Sequence, residues 1–119
     1  MFLLRRGGNR LTPDQARIRT GDGTAVLLDV REMPEWKAGH APGALHLPLT
    51  RLLAGAALPA EVRSRPVVVI CRSGHRSQQA ADLLGARGVD AVDVAGGMNA
   101  WADAGLPVVD ERGQGGRIA

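Results

Sequence analysis

The chain has 119 residues, a length that fits one domain around a single core. Hydrophobic residues make up 45% of it and charged residues 23%, a balance that excludes an intrinsically disordered chain. The net charge of +3 suits a small anionic partner, but aromatic residues are only 3% and the basic residues are spread along the chain, so nucleic-acid binding is not predicted.

Cysteine usage and apolar runs bear on the compartment. With one cysteine, Cys71, the chain can form no disulfide of its own, and the fold needs no oxidising surroundings. Only Phe2, Leu3 and Leu4 precede the first charges, far fewer than the apolar core of a signal peptide. No apolar run approaches the roughly 18 residues of a membrane helix. We therefore expect a cytoplasmic protein with no membrane partner.

The first half of the chain alternates helical and strand patterns. Thr12 is placed as an N-cap, with Pro13 at the first helical position and Gln15 completing a capping box. The nearly continuous apolar run of residues 25–30 predicts a strand buried on both faces. A short helix over residues 33–39 and a short strand over residues 44–47 are expected next. The region begins with a helix and continues strand, helix, strand.

The second half repeats this alternation. Residues 51–63 are rich in Leu and Ala but are interrupted by Gly55 and Pro59, which predicts one or two short helices. A β-branched run then predicts a buried strand, and helical periodicity follows it directly. The remaining predicted elements are the strand over residues 67–70, the helix over 76–87, the strand over 91–94 and the helix over 99–104.

This order of elements predicts an α/β fold of three layers, with a mostly parallel central sheet of about five strands and helices on both faces. We expect one domain over residues 10–109, between a flexible N-terminus (1–9) and a flexible C-terminal tail (110–119). Open parallel sheets place their sites at the carboxyl ends of strands, and Asp29 and Cys71 both fall at such ends.

The segment after the strand at residues 67–70 reads Cys-Arg-Ser-Gly-His-Arg-Ser over residues 71–77. Successive backbone N–H groups in a strand-to-helix turn can curl around one atom, and the helix dipole favours a thiolate there. An inert buried cysteine is the alternative for a lone Cys at the end of an apolar strand. An inert core cysteine would gain nothing from the flanking residues Arg72, Gly74, His75 and Arg76. The loop therefore predicts an anion-binding nucleophile.

Several residues around this loop have competing interpretations. Gly74 allows backbone geometry that other residues resist, and His75 lies inside the loop. Arg72 is either a solvated charge or a substrate contact. Asp29 is expected to pair with Arg76, because a buried carboxylate needs a partner. The predicted role of Asp29 is to support the loop.

The three histidines do not predict a metal site. No spacing between Cys71 and His40, His46 or His75 matches a zinc pattern, and there is no second cysteine. His40 is interpreted as a hydrogen-bonding residue that shapes the turn before Pro42. Trp36 and Trp101 are interpreted as packing residues.

Taken together, these segments resemble the motifs of rhodanese domains in order and spacing. The similarity runs over about residues 10–109, and four motifs in the correct order are far more specific than any one alone. The matching segments are residues 28–32, 35–36 and 39–44 near the N-terminus, the loop at 71–77, and residues 96–101 with 105–108 near the C-terminus. Ala41 departs from the larger aliphatic residue usual after the histidine.

The resemblance implies a rhodanese-type sulfurtransferase in which Cys71 carries sulfur as a persulfide. Sulfane sulfur would pass from thiosulfate or another persulfide donor to cyanide or a thiol or protein acceptor, by a ping-pong mechanism without metal or organic cofactor. The resemblance also implies a substrate-binding loop around Cys71 and residues that support it. The loop residues are Arg72, Ser73, Gly74, His75 and Arg76, and the supporting residues are Asp29, Arg31 and Ser77.

Two other functional classes remain open from the sequence. The first is a catalytically silent rhodanese-like module that binds or regulates, and the intact Cys71 argues against it. The second is a phosphatase-like enzyme. Related phosphatases of similar fold carry one more residue between the cysteine and the arginine than the four between Cys71 and Arg76, so the shorter loop favours sulfur transfer.

Overall fold

The computed structural model describes residues 10–119, so the predicted flexible N-terminus, residues 1–9, lies outside the described residues. Over these residues helices and strands alternate largely as expected, and the 51–63 region contributes two short helices. In chain order the elements are α1 (Pro13–Gly21), β1 (Val26–Asp29), α2 (Met33–Ala38), β2 (Leu45–His46), α3 (Leu49–Leu53), α4 (Ala60–Ser64), β3 (Val67–Ile70), α5 (Arg76–Ala86), β4 (Ala91–Asp93) and α6 (Gly97–Asp103).

The four strands form one parallel sheet in the order β2-β1-β3-β4. Strands β1 and β3 are central, and both are buried along their whole length. Their register sets Asp29 opposite Ile70. The ends of both strands therefore meet at one edge of the sheet, where Cys71 follows Ile70.

The predicted count of about five strands is wrong by one within the described residues. At the edge beyond β4, Leu11 makes only an isolated parallel bridge to Val94, in which its N–H donates to the carbonyl of Asp93 at 2.9 Å. The pairing does not continue past Leu11, because Thr12 already caps α1 and Pro13 occupies its first turn. The four strands positioned from the sequence are all present, and within residues 10–119 this bridge adds no fifth.

Helices pack on both faces of the sheet, which confirms the three-layer α/β fold. Alternate residues of β3 point to opposite faces, so that Val67 and Val69 join one core and Val68 and Ile70 the other. The first core includes side chains of α3, α4 and α5, and the second includes side chains of α1 and α6. Helix α2 has no buried residue and lies at the edge where β1 ends.

The segment predicted as a flexible C-terminal tail folds back along the domain. Val109 bridges both His40 and Gly115, the N–H of Arg117 donates to the carbonyl of Ala38 at 2.9 Å, and Ile118 packs against the second core. Flexibility of residues 110–119 concerns motion and stays a prediction. The contacts tie this segment to the end of α2.

Among residues 10–119, no helix combines the length and the apolar character needed to cross a membrane.

Candidate active site

Cys71 lies between β3 and α5, at the carboxyl edge of the sheet, and its side chain is buried with 1% relative exposure. Its Sγ accepts the backbone N–H of Gly74 at 3.1 Å and that of Ser77 at 3.2 Å. Ser77 belongs to the first turn of the eleven-residue helix α5, so the helix dipole adds to these two donors. Two backbone N–H groups, one from the loop and one from the first turn of α5, therefore point at the sulfur.

A third group at the sulfur is the hydroxyl of Ser77, a predicted supporting residue. The Cys71 thiol donates to Ser77 Oγ at 3.3 Å, and that hydroxyl donates to Asp93 Oδ2 at 2.7 Å. Ser77 is fully buried, and Asp93 is 4% exposed. The sulfur is thus joined to a buried carboxylate on β4 through one hydroxyl.

Two glycines allow the loop to close. Gly74 has φ +104°, and a Cβ there would lie 2.6 Å from Nη2 of Arg10. Gly97 has φ +57°, and a Cβ there would overlap the carbonyl of Cys71. The next residue, Met98, donates its N–H to that same carbonyl at 2.7 Å. The start of α6 therefore holds the start of the cysteine loop.

The outer rim of the loop is polar and open to solvent. Arg72, Ser73 and His75 are all exposed, and Ser73 Oγ lies 3.3 Å from His75 Nδ1. An exposed guanidinium beside a buried thiol is suited to draw an anion toward it.

The expected pairing of Arg76 with Asp29 is wrong. Arg76 instead forms a bidentate ion pair with Glu35 of α2, with Nη1 to Oε1 at 2.7 Å and Nη2 to Oε2 at 2.8 Å. The Arg76 guanidinium holds the pKa of Glu35 below its usual value, and Glu35 raises the pKa of Arg76. Helix α2 reaches Arg76 because it lies at the same edge of the sheet. Arg76 therefore links the start of α5 to α2.

Asp29 is paired within its own segment. Nε of Arg31 donates to Asp29 Oδ1 at 3.0 Å, Nη2 of Arg31 donates to Oδ2 at 2.8 Å, and both side chains are fully buried. Nη2 also donates to the carbonyl of Gly39 at 2.6 Å. This pair ties the end of β1 to the residue after α2.

The histidines before and in β2 form part of an aromatic stack. Trp36 lies between His40, at a centroid distance of 3.6 Å, and His46, at 4.6 Å. Nδ1 of His40 is 2.7 Å from the carbonyl of Trp36, which confirms the hydrogen-bonding interpretation of His40. Trp101 is buried with 2% exposure and packs in the second core, as interpreted.

Sequence reasoning missed three charged residues of this region: Glu35, Asp93 and Arg10. Glu35 lies in the matching segment at residues 35–36, but no partner was predicted for its carboxylate. Asp93 is a carboxylate inside an otherwise apolar strand, and that position signals a buried group in need of a partner. Arg10 offered no signal, since its contact with Asp93 depends on the bridge of Leu11 to Val94.

Comparison with known proteins gives relatives along most of the chain. A fungal protein from Yarrowia lipolytica, adenylyltransferase and sulfurtransferase UBA4, is 35% identical over 94 residues, which are 79% of this chain. The chain spans only 24% of the length of that relative.

Solved structures share the fold. A rhodanese-related protein from Thermoplasma volcanium superimposes with a TM-score of 0.73 at 28% identity, over 87% of this chain and 99% of that one. A Rhodopseudomonas palustris protein of unknown function, described as a possible tyrosine phosphatase, gives a TM-score of 0.73 at 27% identity, over 84% and 83% of the two chains.

The sequence model of the rhodanese-like domain matches residues 12–104, which include both central strands and the whole cysteine loop. The chain therefore belongs to the rhodanese-like domain family.

Proposed function

We propose that this protein is a sulfurtransferase that carries sulfane sulfur as a persulfide on Cys71. The observation that carries the proposal is the environment of Sγ, which accepts the backbone N–H groups of Gly74 and Ser77 and donates its own proton to the Ser77 hydroxyl. Such an enclosure stabilises a thiolate and a sulfur-centred anion better than a neutral side chain.

The proposed reaction balances without a cofactor. The Cys71 thiol first loses its proton to solvent. The thiolate attacks the outer sulfur of thiosulfate, a new S–S bond forms, and the bond to the sulfonate breaks with its electron pair, releasing sulfite. Cyanide or a thiolate acceptor then attacks the outer sulfur of the persulfide, and Cys71 leaves as the thiolate. We expect this chemistry in the cytoplasm, with no metal.

Two features of the loop bear on the alternative hypothesis of a phosphatase. The similar Rhodopseudomonas palustris structure, described as a possible tyrosine phosphatase, is a reason to consider it. Both terminal nitrogens of Arg76 are bound by Glu35, so that guanidinium is turned to α2 and away from an anion above Cys71. The Gly74 N–H already lies 3.1 Å from Sγ. A tight loop with its arginine engaged elsewhere favours a single sulfur atom over a phosphate group.

Intact mass after incubation with thiosulfate tests the proposal, with Cys71→Ser as the matched variant. We expect wild type to gain one sulfur atom, which cyanide removes as thiocyanate. Cys71→Ser should gain none and should keep its fold, because a serine oxygen can accept the same N–H groups but cannot form a persulfide.

Three outcomes would contradict this reading. Sulfur turnover retained in Cys71→Ser would remove Cys71 from the mechanism. Wild type that gains sulfur from neither thiosulfate nor a persulfidated protein would be a silent binding module. Hydrolysis of an aryl phosphate that depends on Cys71, without sulfur loading, would favour the phosphatase.

A further inference from the structure

Behind the cysteine loop, a continuous chain of hydrogen bonds runs from Cys71 to a charged pair that the motifs do not contain. Ser77 Oγ donates to Asp93 Oδ2 at 2.7 Å. Arg10 grips the same carboxylate with Nε to Oδ1 at 3.0 Å and Nη2 to Oδ2 at 2.9 Å. Arg10 Nη2 also donates to the carbonyl of Gly74 at 2.7 Å. The chain therefore returns to the loop that encloses the sulfur.

The hydroxyl of Ser77 has a single hydrogen, and two groups compete for it. In the thiol form that hydrogen points to Asp93, and Ser77 Oγ accepts from the thiol. A thiolate has no hydrogen to give and would gain a third donor if the hydroxyl turned toward Sγ. Asp93 can release this hydrogen because Arg10 continues to donate to both of its oxygens.

We propose that Asp93 and Arg10 are positioning residues for sulfur transfer, which act on Cys71 through the hydroxyl hydrogen of Ser77. Asp93 holds that hydrogen when Cys71 is a thiol or a persulfide. Arg10 weakens this hold by sharing the carboxylate, so that the hydrogen can turn to Sγ whenever Cys71 is a thiolate nucleophile or leaving group. No proton is stored on Asp93, since only the direction of one hydrogen bond changes.

Arg10 has a second role in this hydrogen-bond network, because it also positions the backbone of the loop. Gly74 presents its N–H to Sγ and its carbonyl to Arg10, so the guanidinium fixes the residue that supplies one of the two backbone donors. Asp93 raises the pKa of Arg10 through their hydrogen bonds. Arg10 thus contacts both the Asp93 carboxylate and the carbonyl of the loop residue that donates to the sulfur.

Other charged groups near Cys71 belong to the elements around it and are unchanged in the variants proposed below. They are Arg72, His75 and Arg76 on the loop and α5, Glu35 on α2, and the buried pair of Asp29 and Arg31 at the end of β1. A change seen on altering Asp93 or Arg10 therefore reports on this one network.

The chain allows a direct test, because it has one cysteine and no tyrosine, so ultraviolet absorbance of a thiolate arises from Cys71 alone. Titration of wild type, Asp93→Asn and Arg10→Ala gives the pH midpoint of thiolate formation in each. The control is Asp103→Asn, which removes one negative charge from an exposed position at the end of α6.

The two partners of one ion pair should shift the midpoint in opposite directions. Asp93→Asn should lower it by about 0.5 to 1 pH unit, because a neutral amide competes less for the Ser77 hydrogen. Arg10→Ala should raise it, since Asp93 then holds that hydrogen more tightly, and Arg10→Lys should recover part of the change. Mere loosening of the loop would move both variants the same way.

A double variant separates the hydroxyl from a simple effect of charge. In a Ser77→Ala background the shift caused by Asp93→Asn should fall to less than half. An equal shift in both backgrounds, a shift of the same sign for Asp93→Asn and Arg10→Ala, or no shift beyond that of Asp103→Asn would overturn the proposal. Circular dichroism of each variant shows whether it is folded. If Asp93→Asn does not fold, the test is the comparison of the midpoints of Arg10→Lys and Arg10→Ala.

This inference rests on the proposed function, but the two can fail separately. Sulfur loading from thiosulfate, followed by intact mass at a pH below the wild-type midpoint, should be faster in Asp93→Asn and slower in Arg10→Ala. If wild type takes up no sulfur, the proposed function fails while the titration still decides the network. If wild type loads sulfur and the midpoints do not move as stated, only the network fails.

Discussion

Two of the arginine–carboxylate pairs at the sheet edge that carries Cys71, Arg31–Asp29 and Arg76–Glu35, differ in their contact with water. The side chains of Arg31 and Asp29 are both fully buried. Those of Arg76 and Glu35 keep 33% and 20% of their exposure. Both pairs are bidentate, so the difference between them is one of surroundings more than of geometry.

Burial changes what an ion pair contributes. A buried pair loses its hydration, and mutual attraction restores that loss only when every donor is satisfied. Within residues 10–119, Nη1 of Arg31 is a buried nitrogen without a hydrogen-bond partner. The Arg31–Asp29 pair therefore contributes shape more than net stability, yet removal of one partner leaves an uncompensated charge in the interior.

Helix α2 connects the two pairs. Arg31 donates to the carbonyl of Gly39 just after the helix, and Glu35 within the helix receives Arg76. The buried pair fixes where α2 ends, and the half-exposed pair joins α2 to the start of α5. The contrast suggests a rigid anchor on one side of the helix and an adjustable contact on the side of the cysteine loop.

The largest effect is expected from breaking the buried pair. Asp29→Asn should lower the free energy of unfolding by about 3–5 kcal/mol, because it strands the Arg31 charge in the interior. Urea denaturation measures this loss, with Asp82→Asn as the control, whose exposed side chain should change stability by less than about 0.5 kcal/mol. A loss no larger than that of the control would show that the interior tolerates the Arg31 charge alone.

A smaller effect, with a distinct dependence on pH, is expected at the half-exposed pair. Glu35→Gln keeps an oxygen for the backbone N–H of Glu32 and removes only the charge that binds Arg76. The variant should lose about 1 kcal/mol of unfolding free energy at neutral pH, since pairs at the surface contribute little.

The sign of the pH dependence follows from the lowered pKa of Glu35, whose largest cause is Arg76. A carboxyl with a lowered pKa in the folded state stabilises the fold above its usual pKa, here 4.5, and this stabilisation disappears as the pH falls through the lowered value. Urea unfolding of wild type and Glu35→Gln should therefore converge in acid. A difference that persists there would have a cause other than the charge.

The difference between the two pairs also explains which parts of the site could be predicted from the sequence. The cysteine loop was predictable because strand, turn and helix are consecutive, so that local patterns position Cys71, Gly74 and Ser77. Asp29 and Arg31 are two residues apart at the end of a strand, where alternate side chains share a face. This spacing could have predicted their pairing, although the sequence analysis expected Asp29 to pair with Arg76.

The remaining contacts depend on long-range packing that no local pattern contains. Glu35 meets Arg76 only because α2 lies beside the start of α5. Arg10 meets Asp93 only because the chain bridges Leu11 to Val94 before α1 begins.

Arg72 is an exposed arginine that can be compared with the buried Arg31 and the half-exposed Arg76. Its removal should have the smallest effect on stability of the three. Arg72 is exposed on the rim of the loop, so Arg72→Ala should change the free energy of unfolding by less than about 0.5 kcal/mol. If it attracts the anionic donor, the KM for thiosulfate should rise about two- to fivefold, as expected for one surface charge.

Arg63→Ala is the matched control for this charge. Arg63 is also exposed, but it lies on α4 before the start of β3, and hence toward the opposite edge of the sheet from Cys71. The effect of Arg72→Ala on KM should shrink as salt is added, because ions screen an exposed charge from its substrate, whereas Arg63→Ala should leave KM unchanged at every salt concentration. Equal KM values for the two variants would make Arg72 an ordinary solvated residue and would leave the buried N–H groups around Sγ as the principal attraction for the anionic sulfur donor.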